Sequence, residues 1–194
     1  MKGKKRFKIP PVEAIAAELK RERYRNRYVS ALKSTIYTLI TVAAIAVLIA
    51  TLWLPVLQVS GNSMAPTLKE NSIVLSIKGS AFEQGDLISF YYNNKILVKR
   101  VIAGPSDWVN IDADGTVFVN GTALQEPYLS EKALGECDIE MPYQVPPERY
   151  FVMGDHRATS VDSRKSQIGC VAEEQIVGKI VYCVWPFDQF GSIA

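Results

Sequence analysis

Two regimes of hydrophobic patterning divide the chain. From Ile36 to Leu57 the apolar positions run almost without a break in Ile, Leu, Val and Ala, and no charged side chain occurs between Lys33 and Lys69. At 1.5 Å per residue, those roughly 22 residues form a helix of about 33 Å, close to the ~30 Å hydrocarbon thickness of a bilayer. The expectation is one membrane-spanning helix over 34–57. Trp53 suits an interfacial ring near its far end, and Pro55 suits a helix about to stop. A cleavable leader has a shorter apolar region, about 7 to 15 residues, and a small-residue cut site after it, which this run does not match. A buried core helix is the competing assignment, but uncharged runs of this length are rare in soluble domains.

Beyond Ser72 the pattern changes to short β-rich runs separated by turn residues. Ile73–Ile77, Leu87–Tyr92, Ile96–Ile102, Tyr150–Gly154 and Ile176–Trp185 read as strands, and Trp108–Ile111 followed by Thr116–Thr122 reads as further hairpins. Lys78-Gly79-Ser80 and Gly85-Asp86 punctuate them, and Asn93-Asn94 predicts a tight hairpin. Gly104-Pro105 marks a change of direction, after which 106–146 reads as an insertion. The Asn120-Gly121-Thr122 sequon is explained by turn chemistry, and no modification is assigned to it. Between the last two strands lies a dense polar loop, Asp155–Arg164. The fold class expected is mainly β: an antiparallel-sheet domain with a small β insertion, preceded by one transmembrane helix.

Charge then orients the picture. Residues 1–33 carry eleven Lys and Arg against three Glu, a balance of +8, whereas 34–194 carry eleven against seventeen, a balance of −6. By the positive-inside rule, 1–33 is a basic cytoplasmic arm and 58–194 an extracytoplasmic domain, large enough for one core. The helix-prone stretch Val12–Val29 would lie against anionic lipid. A nucleic-acid-binding tail is the weaker use, because an arm tethered at a membrane has little access to nucleic acid. Cys137, Cys170 and Cys183 allow either one disulfide plus a spare thiol or three free thiols. With one His and no Cys-x-x-Cys, neither a metal site nor a cofactor is expected.

Candidate chemistry begins at Val59-Ser-Gly-Asn-Ser-Met-Ala-Pro-Thr-Leu68, where Gly61 and Pro66 flank Ser63 and let the backbone turn to expose its hydroxyl. A serine nucleophile needs a base. His156 is the only histidine, and Lys99 is the alternative. Period-two alternation places Lys99 on the strand face of Leu97 and Val101. At an ordinary pKa of about 10.4, only around one Lys in 2,500 is neutral at pH 7, so a basic role requires burial; otherwise Lys99 is a solvated edge-strand residue. Six residues separate Leu57 from Ser63, a reach of about 20 Å at most, which confines any chemistry at Ser63 to the membrane surface.

Taken together, Gly61–Leu68, Gly85-Asp-Leu-Ile-Ser-Phe90, Val98-Lys-Arg-Val-Ile102 and Gly154-Asp-His-Arg-Ala-Thr-Ser-Val-Asp-Ser-Arg164 resemble the motifs of bacterial type I signal peptidases, in the family's order. The preceding span, Glu126-Pro-Tyr-Leu129 and Trp185-Pro186 extend the resemblance to nearly everything after Lys33. It implies a membrane-bound serine endopeptidase that removes signal peptides from secretory preproteins after a small-x-small (Ala-x-Ala) site. Ser63 would be nucleophile, Lys99 general base, Ser160 the hydroxyl orienting Lys99, and Asp162 with Arg164 a supporting ion pair. The Ser63 backbone N–H would donate to the oxyanion. Gly61 lacks the side-chain hydroxyl that one branch of the family uses, so a second donor must come from backbone or water. His156 replaces the family's usual Asn, with a structural role expected and pH tuning as the alternative. Apolar walls would receive small substrate side chains, and Met64 and Leu68 are expected to be exposed on a lipid-facing rim. Competing assignments are a Ser/Lys protease that processes a dedicated partner or itself, a β-rich binding module, and a Ser63–His156 hydrolase.

Overall fold

The computed structural model describes residues 11–193. The first ten residues of the basic arm lie outside the described residues, as does the side chain of Trp53, for which an interfacial position is expected. Helix α1 runs unbroken over Val12–Trp53. Its polar positions within the apolar stretch are self-satisfied, because the hydroxyls of Thr35, Thr38 and Thr41 donate to the carbonyls of Ala31, Ser34 and Tyr37 one turn back. Such back-bonding lets threonine sit in an apolar solvent without an orphaned donor. The Leu54 N–H closes the last turn on Ala50 O, and at Pro55 the missing N–H ends the ladder. Val56 and Leu57, assigned above to the span, instead enter a strand.

The β unit, described by itself, holds two antiparallel sheets among the described residues. β1 (Val56–Gln58), β2 (Ile73–Ile77), β3 (Leu87–Tyr92) and β4 (Lys95–Ala103) belong to the first sheet. β5 (Trp108–Ile111), β6 (Val117–Val119), β7 (Thr122–Ala123) and β8 (Tyr143–Gln144) form the second, and β9 (Arg149–Met153), β10 (Val171–Ala172), β11 (Ile176–Trp185) and β12 (Gly191–Ser192) return to the first. The first sheet is ordered β1-β2-β11-β3-β4-β9-β10, with β12 on β11. Asn93, with φ of 49°, supplies the left-handed position that the β3–β4 hairpin needs. Asn120 is consumed by its own turn: its side chain accepts from Trp108 N–H and donates to Asp107.

One detail of pairing shapes the site. β4 pairs with β3 along Lys95–Arg100 but with β9 only from Arg100 onward, so Lys95–Lys99 keeps one backbone edge unpaired. Behind this stretch, Val59, Met64, Leu68, Val74, Leu87, Ile180 and Cys183 form one buried cluster, while Ile102, Ala103, Phe151 and Met153 pack with Val109, Ile111 and Val117 of the second sheet. All three cysteines are free thiols, Cys170 and Cys183 buried and Cys137 half-buried.

Candidate active site

Ser63 sits in a turn that begins at Gly61, whose φ of +87° is open to glycine at no steric cost. Two contacts fix it from the polar loop. The His156 N–H donates to Ser63 O at 3.0 Å, and Gly154 passes so close that an added Cβ would stand 2.5 Å from Ser63 O and nearer still to the Ser160 hydroxyl. The Ser63 N–H makes no hydrogen bond among the described residues and is free to donate.

Lys99 projects from β4 to place Nζ 2.7 Å from Ser63 Oγ. The residue is 3% exposed. Burial, by disfavouring the ammonium, is the largest influence on this amine and lowers its pKa from 10.5 to about 8; Arg164 lowers it further, while Asp162 and Asp155 oppose the shift. At that value about one amine in ten is neutral at pH 7, several hundred-fold more than for a solvated lysine. Although Lys95–Lys99 has one unpaired edge, the Lys99 side chain is buried, so its assignment as a solvated edge-strand residue does not hold.

Three buried Arg–carboxylate pairs anchor the loop behind the dyad. Arg164 binds Asp162 bidentately, with both contacts at 2.8 Å, and the Gly154 N–H adds a third bond at 2.9 Å. Burial pushes the Asp162 carboxyl up, but the hydrogen bonds and charge of Arg164, with the Gly154 N–H, outweigh it and hold the group below its usual range. Arg100 binds Asp155 at 2.9 and 2.7 Å, Thr67 donates to the same carboxylate, and the Tyr128 ring lies 3.7 Å under the guanidinium. Arg157 pairs with Glu126, which also accepts from Tyr128 Oη at 3.0 Å. Arg100, Asp155, Thr67, Tyr128, Glu126 and Arg157 received no role from sequence. The available signal was an Arg embedded beside Lys99 in an apolar strand, which needs a buried carboxylate, and the polar loop offers several.

Ser160 is buried beside Gly154, and its hydroxyl has no hydrogen-bond partner, so no bond joins it to Lys99 in this structure. The His156 ring bonds Thr159 through Nδ1. Met64 and Leu68 correct the expectation of an exposed rim, being 1% and 0% exposed. Leu68 N–H donates to Met64 O at 2.8 Å, closing a turn from which both side chains join the buried cluster with Val59 and Val74. The exposed large apolar residues of the β unit include Val56, Trp185, Phe187 and Phe190 instead.

A cleft of about 240 Å³ leads to the dyad, walled by Leu57–Ser60 on one side, Lys95–Lys99 on the other, and Ser63 with Met64 at its end. A hydroxyl bonded to a buried amine, with a free N–H on the hydroxyl's own residue and an extended cleft beside an unpaired strand edge, is equipped for attack on a peptide carbonyl.

The family pattern described as "Signal peptidase, peptidase S26" matches residues 32–185. A signal peptidase IB of Staphylococcus aureus is 36% identical over 152 residues, which cover 68% of this chain and 78% of that protein. A signal peptidase I of Bacillus amyloliquefaciens is 32% identical over 182 residues, covering 88% and 97%. A solved signal peptidase I of Enterococcus faecalis shares 28% identity with a TM-score of 0.45, covering 52% of this chain and 97% of that one.

Proposed function

This chain belongs to the signal peptidase family, peptidase S26, serine proteases that remove signal peptides, and we propose that it does so with Ser63 as nucleophile and Lys99 as general base, cutting after a small-x-small (Ala-x-Ala) sequence. The single observation supporting this mechanism is the 2.7 Å contact between Lys99 Nζ and Ser63 Oγ in a site where burial depresses the amine. The neutral amine takes the Ser63 proton as Oγ attacks the scissile carbonyl. The developing oxyanion accepts the Ser63 N–H, with a second donor from backbone or water. The ammonium then protonates the departing amine of the mature protein, leaving the signal peptide esterified to Ser63. A water activated by the same amine hydrolyses that ester.

Asp162 and Arg164 support the site as an ion pair, and the unpartnered Ser160 hydroxyl is the group we assign to orient Lys99 during turnover. The extended cleft receives residues before the cut as an added strand along Lys95–Lys99, with the small side chains of the cut site beside Met64. The helix, long and apolar enough to cross a bilayer, fits a membrane-anchored protein. Its basic N-terminal side lies in the cytoplasm near anionic lipid, and the β unit faces outward. Purified protein should cut a preprotein at its Ala-x-Ala site and be labelled at Ser63 by a serine-reactive acylating inhibitor. Undiminished cleavage by Lys99→Ala would refute the mechanism.

A further inference from the structure

We propose that Lys95 is a specificity residue, favouring an acidic side chain and disfavouring a basic one about five positions before the cut. The inference builds on the Ser63 and Lys99 mechanism. Recognition of a signal peptide lies N-terminal to its cut, so the cleft leading to Ser63 holds that side of the substrate. One wall of the cleft is the unpaired edge Lys95–Lys99, whose backbone accepts a strand in register. With the residue before the scissile bond beside Lys99, four steps of about 3.3 Å along the strand bring the fifth residue before the cut beside Lys95.

Alternation puts Lys95, Leu97 and Lys99 on one strand face. The side chains along the cleft therefore change character: amine at the reacting end, apolar in the middle, ammonium at the outer end. Lys95 is exposed and makes no ion pair among the described residues, and no Asp or Glu lines the cleft. Among the described residues nothing neutralises this positive end, so a substrate carboxylate gains an attraction there and a substrate lysine meets repulsion. At a solvent-exposed position the effect is modest and sensitive to salt.

The test uses the full chain in uncharged detergent micelles, so that no lipid headgroup supplies charge, and peptides identical except for Glu, Gln or Lys at the fifth position before the cut. In low salt the Glu peptide should exceed the Lys peptide in kcat/KM by about five-fold, with Gln between them, and the ratio should shrink towards unity near 1 M salt. Lys95→Gln should abolish the preference and Lys95→Glu should invert it. A ratio between peptides is independent of how much enzyme is folded, so a partly unstable variant still reports. Parity in the native enzyme at low salt, or a preference unchanged in both variants, overturns the assignment of Lys95 alone. Cleavage that persists in Ser63→Ala overturns the underlying mechanism, and this inference with it.

Discussion

In the proposed mechanism one side chain, Lys99, meets two opposed demands, since an ammonium wants water and a general base must lose its proton. Burial resolves them in favour of catalysis at a cost in stability. Removing the base should reduce turnover by about 10²- to 10⁴-fold, and Lys99→Arg should be no better than Lys99→Ala, because guanidinium stays protonated. The stability effect has the opposite sign. With the folded pKa near 8 and the unfolded one near 10.5, the unfolded chain binds more protons between those values, so the penalty is full below about pH 8 and fades as pH rises towards 10.5. Lys99→Met should therefore be more stable to unfolding than the native protein at pH 7, by on the order of 3 kcal/mol, with the gap narrowing through that window. Apolar strand neighbours made burial of Lys99 one of two readings in the sequence, the other being a solvated edge-strand lysine, and only the family resemblance favoured burial. Of its charged surroundings, Asp162 and Arg164 came only through the family resemblance and Asp155 not at all, because all three lie on a loop beyond the second sheet and reach Lys99 only through tertiary structure.

At the scale of elements, the site depends on how closely the polar loop is drawn to the nucleophile's turn. Gly154 is the contact point, and Gly154→Ala should force β9 and Ser63 apart, lowering the rate of Ser63 acylation at least ten-fold while the remainder of the sheet still folds; native acylation kinetics would show that the backbone yields there. The Asp162–Arg164 pair can be probed by charge. Asp162→Asn removes a group that raises the Lys99 pKa and strands a buried guanidinium, so the pH–rate inflection should move down while stability falls by about 3–5 kcal/mol. Long strands such as Leu87–Tyr92 and Ile176–Trp185 were readable because their apolar runs are bounded by turn residues. Strands of two residues, such as Thr122–Ala123 and Tyr143–Gln144, carry too little pattern to be read and exist by pairing alone. Met64 and Leu68 were misplaced for a related reason: composition marks them apolar, whereas only the cluster they pack into shows which way they face.

For the whole molecule, the division between a basic helical arm with its apolar span and an acidic β-rich unit follows from the charge count and the uncharged run. Under the proposed topology, a protease added outside intact cells should digest the β unit and spare the arm; protection of the β unit would reverse the orientation. The central claim, however, concerns one proton. Lysines labelled with ¹³C at the ε carbon, titrated by NMR in the full-length protein in micelles and assigned with Lys99→Met, would report the Lys99 amine directly. A midpoint near pH 8, coincident with the rise of kcat/KM, is the expected result. An amine that stays protonated beyond pH 10 while the enzyme turns over at pH 7 would contradict it.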